Sequence, residues 1–74
     1  MKSVEIFKTT VKGKRNAAFL VEEMQTVFPS YKISIDLDDR DKVLRVETRT
    51  GMVKAKEIIE LLERRNFNCE ILNS

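Results

Sequence analysis

An α+β fold, with two helices on one face of a four-stranded antiparallel sheet, is predicted for this 74-residue chain by three observations. Two segments carry apolar residues at helical spacing. Between them lies a segment of strict two-residue alternation that turns back on itself. Only two Gly and one Pro interrupt the chain, so folded structure is expected almost from end to end.

Residues 4 to 10 read as the first strand, because Val4, Ile6 and Phe7 stand among Glu5, Lys8 and two threonines, residue types that favour extended backbone. From Lys14 to Phe28, the positions Ala17, Leu20, Val21, Met24, Val27 and Phe28 follow the spacing of one helical face, and Pro29 stops that helix. Tyr31, Ile33, Ile35 and Leu37 then alternate with Lys32, Ser34, Asp36 and Asp38, the pattern of a strand with one buried face.

Asp38 to Asp41 form a turn, and Lys42 to Thr48 alternate again with Leu44 and Val46 on one face, completing a hairpin. Thr50 is placed to cap a second helix whose stripe is Met52, Ala55, Ile58, Ile59 and Leu62, with Leu61 beside it. Asn66 is suited to a left-handed terminator, and Phe67, Cys69 and Ile71 alternate with Asn68 and Glu70 as a short last strand. The order βαββαβ, with two one-sided helices, gives a ferredoxin-like two-layer sandwich.

Right-handed crossovers make the first and last strands neighbours and set the third between the first and second. The start of the first helix, the turn at 38 to 41 and the end of the second helix at 64 to 66 then share one end of the sheet. The termini lie at the other.

Composition narrows the function classes. At this length the chain is one domain, residues 1 to 74, and its 42% hydrophobic content is that of a folded globule. Charges at Glu5 and Lys8 break the apolar run that a signal peptide or membrane span needs, so a cytoplasmic location and no membrane partner are expected. One cysteine, Cys69, and no histidine leave neither an intrachain disulfide nor the usual nitrogen and sulfur ligands of zinc or copper; no cofactor is expected. A net charge of +2 from interspersed charges does not indicate nucleic acid.

With Phe28-Pro29 closing the first helix, the alternating second strand, and Ile58-Ile59-Glu60 leading to Asn66-Phe67, the whole chain resembles the heavy-metal-associated domains of copper chaperones and metal-transporting ATPases. The resemblance implies the fold just read. It also implies a Met-x-Cys-x-x-Cys metal loop opening the first helix, whose methionine and cysteines fall at about Lys12, Lys14 and Ala17. None of the three ligands is present, so the metal function is not carried over. One alternative keeps a metal by sharing Cys69 across a dimer.

The turn Val11-Lys12-Gly13 also resembles the phosphate loop of acylphosphatases. Arg15 comes too soon after the glycine, however, and no asparagine stands on the third strand to position water, so no catalytic residue is assigned and acyl-phosphate hydrolysis at Lys12 to Arg15 stands as a second alternative.

What remains is a candidate anion or partner surface at one end: Lys12, Gly13, Lys14 and Arg15 at a helix start, with Arg64 and Arg65 at the end of the other helix. The plainer expectation is that Asp38, Asp39 and Asp41 screen the loop cations while Arg64 and Arg65 cap their helix. The Asp36 to Asp41 run lacks the central glycine and closing glutamate of a calcium loop. Cys69 and the methionines Met24 and Met52 are expected in the core.

If Phe7 faces the helices, Val4, Ile6, Val43 and Leu72 share the open sheet face with Lys8, Arg45 and Glu70. That mixed surface suits a protein partner or a second copy, or is tolerated exposure; it lacks the stacking aromatics of an RNA-binding sheet. The expected role is non-enzymatic protein association.

Overall fold

The computed structural model describes residues 2–72. Its elements are β1 (Ser3–Thr9), α1 (Lys14–Val27), β2 (Lys32–Asp36), β3 (Val43–Thr48), α2 (Ala55–Arg64) and β4 (Cys69–Ile71). The strands form one antiparallel sheet in the order β2-β3-β1-β4, the ferredoxin-like arrangement. Phe7 lies opposite Leu44, Ile35 opposite Leu44 on its other side, and Thr9 opposite Cys69, so alternate residues of all four strands turn to the helices.

Those residues make the core. Phe7, Leu44 and Val46 from the sheet meet Leu20 and Met24 from α1 and Ile58 and Leu62 from α2, all without solvent exposure. The helices end for identifiable reasons. Asn66 adopts φ +67°, and the Phe67 N–H reaches the Leu62 carbonyl while the Asn66 N–H reaches Glu63, a Schellman closure of α2. Past α1, Phe28 and Tyr31 stack at 4.8 Å across Pro29, and Gln25 Nε2 donates to the Tyr31 carbonyl at 2.8 Å.

The start of α2 differs from the sequence-based expectation. Thr50 does not cap it; the helix begins at Ala55, with Lys54 at the cap position. The cause is Tyr31, which is buried just ahead of β2. Its hydroxyl accepts the Lys54 N–H at 3.0 Å and donates to the Met52 carbonyl at 3.4 Å. Residues 52 to 54 are thereby held outside the helix, Val53 enters the core and Met52 is left 82% exposed. Met24 is buried, but Met52 is not a core residue.

Two further positions on apolar registers lie outward. Val27 is 54% exposed, because a stripe fixes an angle on α1 but not what packs over its last turn. Ile71 is 40% exposed, because β4 is an edge strand with no neighbour beyond it.

Candidate functional site

The charged end of the molecule is assembled from three loops, as topology requires, but its charges are not joined into one site. Gly13 stands at the N-cap of α1 with φ 85° and ψ 145°, a backbone that favours glycine. Val11 is fully buried and anchors the loop, while Lys12, Lys14 and Arg15 are exposed. Asn16 Nδ2 donates to the Lys12 carbonyl at 2.8 Å. The first turn of α1 holds no acidic residue and its cap no side-chain hydrogen bond.

The expected screening by the hairpin turn is not seen as ion pairs. Among the described residues no carboxylate lies within ion-pair distance of Lys12, Lys14 or Arg15. Asp39 accepts the Asp41 N–H at 2.8 Å, and Asp41 reaches Lys8 at 3.9 Å instead. Short turn aspartates bond first to their own backbone, which holds them close to the hairpin.

Arg64 and Arg65 separate in role. Arg64 occupies the last turn of α2, where a cation favours the helix dipole. Arg65 does more than end its helix. Its guanidinium crosses to α1 and grips Glu23 through both carboxylate oxygens, with Nε donating to Oε1 at 2.9 Å. It also lies over the Phe19 ring, 5.4 Å from the centroid. That hydrogen bond holds the Glu23 carboxyl below its ordinary range and raises Arg65.

This helix-to-helix clamp was missed in the sequence because its residues are 42 positions apart. One signal was available: Phe19 is a large aromatic off the apolar stripe of α1, and it is 52% exposed.

Cys69 points into the covered layer and is buried. Burial, then the negative charges of Glu63 and Glu70, push its thiol up to about 12. A depression of about 320 Å³ beside it is lined by Lys8, Thr10, Glu63, Asn68 and Glu70, so the wall next to the thiol is polar and carries two carboxylates that disfavour a thiolate. Among the described residues no cluster of His, Cys, Asp and Glu could hold a metal ion, and no helix is long and apolar enough to cross a membrane.

The open face of the sheet is the other candidate. Phe7 does face the helices, which places Val4, Ile6, Lys8, Val43, Arg45, Glu70 and Leu72 on the uncovered side with Glu47. The Leu72 N–H bonds the Ile6 carbonyl at 2.9 Å, so Val4, Ile6 and Leu72 form a short apolar strip. Beside it Glu47 is held by Arg45 at 3.3 Å and Lys2 at 3.6 Å. A strip flanked by a fixed ion pair offers both contact area and orientation to a partner surface. No family model and no curated protein matches the chain.

Proposed function

We propose that this chain is a non-enzymatic association domain, similar in design to the heavy-metal-associated fold with its metal loop replaced, and that it works by binding protein through its open sheet face. The observation that carries this reading is the Val4-Ile6-Leu72 strip beside the Arg45-Glu47 pair, on the one side of the sheet that neither helix covers. The replaced loop supports it. Of the positions that the family's ligands would take, Lys12 and Lys14 are exposed cations and Ala17 is packed in the core.

The test is a comparison of immobilised wild-type protein with Ile6→Glu, which sets a charge in the middle of the strip. A partner retained by the wild type and lost by the variant is the expected result. Equal retention by both, or none by either, overturns the open-face role. Tight Cu(I) binding in a parallel titration would overturn the loss of metal function.

A further inference from the structure

The two edges of the sheet are β2 and β4. β4 spans three residues, whereas β2 presents five, Lys32 to Asp36. Which backbone groups β2 turns outward follows from the ladder. The Leu72 N–H bonds to the Ile6 carbonyl, so the even residues of β1 bond toward β4 and its odd residues toward β3. Phe7 and Glu5 therefore bond Leu44 and Val46. By the same alternation, Val43, Arg45 and Glu47 turn to Asp36, Ser34 and Lys32 of β2.

That leaves the N–H and C=O groups of Ile33 and Ile35 facing away from the sheet, and among the described residues nothing bonds to them. Just before the strand, the Tyr31 carbonyl is already taken by Gln25, which confines the free edge to β2 itself.

The side chains along this edge read Lys32, Ile33, Ser34, Ile35, Asp36. This order is its own complement under a two-fold rotation about Ser34. Laid antiparallel against a second copy, Ser34 meets Ser34, Ile33 meets Ile35, and Lys32 meets Asp36, each unlike pair occurring twice. The backbone is compatible with this register. Ile33 of one copy and Ile35 of the other both point outward, so they form hydrogen-bonded pairs that each exchange two N–H···O bonds. Lys32 and Asp36 fall at the positions between, where facing side chains are closest.

Both layers continue across such a junction. Ile33 is buried and Ile35 only half-buried, so their pairing extends the core beneath the helices. On the open face Lys32 and Asp36 have no ion pair among the described residues; Asp36 uses only Oδ1, to accept the Asp38 N–H at 3.0 Å. Edge charges ordinarily discourage pairing, and a lysine at each end of β2 would do so. Here opposite charges occupy positions that the symmetry exchanges, so each finds its counter-ion in a second copy.

We propose that the outer edge of β2 is a homodimerisation edge, joining two copies of this chain antiparallel about Ser34 into one continuous sheet with all helices on the same side. This deepens the association reading and rests on it for function, but it uses a different surface, so the two are separable by experiment.

The experiment is sedimentation equilibrium of the full chain from micromolar to millimolar concentration, with circular dichroism to check that each variant is folded. Wild type is expected to form a dimer. Lys32→Asp gives the edge two acidic ends and Asp36→Lys gives it two basic ends, so each is expected to raise the dissociation constant about tenfold or more. An equimolar mixture of these two variants is expected to restore the dimer, because each edge then meets its opposite.

A dimer indifferent to both reversals, or a mixture no more associated than its components, overturns the β2 edge while leaving self-association in place. A wild type that is monomeric throughout overturns the edge but not the open-face role, which falls only with the Ile6→Glu comparison.

Discussion

The two faces of the sheet are built from alternate residues of the same four strands, and they differ in how far those residues are removed from water. On the covered face Phe7, Leu44 and Val46 are wholly buried, and the buried polar Thr9 and Thr48 are satisfied, Thr9 by the Lys42 carbonyl at 2.7 Å and Thr48 by the Thr50 carbonyl at 3.0 Å. Across the sheet, one residue along in each strand, Val4 is 38% exposed and Arg45 and Glu47 pair in partial contact with water. A single residue's shift along a strand changes the governing physics from close packing to solvation. The core therefore lies on one face, and the open face is the one proposed above to meet a partner.

Breaking the covered face should cost most. Phe7→Ala removes a fully buried ring between sheet and helices and is expected to destabilise by about 3–5 kcal/mol, read from urea unfolding. In a domain this small, that loss is expected to leave much of the protein unfolded.

A sharper contrast comes from Cys69 on the covered face. Its folded thiol value is raised above the ordinary 9.0, so its contribution to stability is complete below pH 9.0 and is lost as pH rises toward about 12, where only the unfolded thiol has ionised. Wild type should lose more stability over that range than Cys69→Ala. Unfolding curves at matched pH measure the difference, and equal slopes would contradict the burial assigned to this thiol.

The smallest effect is expected on the open face. Val4→Thr should change stability by no more than about 0.5 kcal/mol, since the side chain is already half in water and threonine keeps the branched shape. A larger loss would mean that this face contributes to folding.

Much of this contrast was legible in the sequence. The alternation Ile33, Ile35 against Lys32, Ser34, Asp36 marks the two sides of β2, and Leu44 with Val46 does the same for β3. Which side of β1 packs is ambiguous in sequence, because Ile6 and Phe7 are adjacent and both apolar. Pairing with β3 and β4 resolves it in favour of Phe7. The charged end was legible as a location only. That Arg65 belongs to Glu23 and Phe19, and that the aspartates of the turn serve their own backbone and Lys8, depends on where long side chains reach after folding.

By itself the sequence determined what is periodic or local. Alternation and helical stripes set element type and order, Pro29 ended α1, Asn66 closed α2, and a loop without cysteine or histidine lacked soft-metal ligands. Only tertiary structure decided what depends on distant neighbours. Tyr31 held residues 52 to 54 out of α2, so Val53 went inward and Met52 outward. The strand order made β2 an edge, and that turned Lys32-Ile33-Ser34-Ile35-Asp36 from an ordinary alternating strand into a surface complementary to itself. The reason is physical: backbone preference acts over a few residues, whereas burial, edge position and ion pairing exist only once separated parts of the chain are brought together.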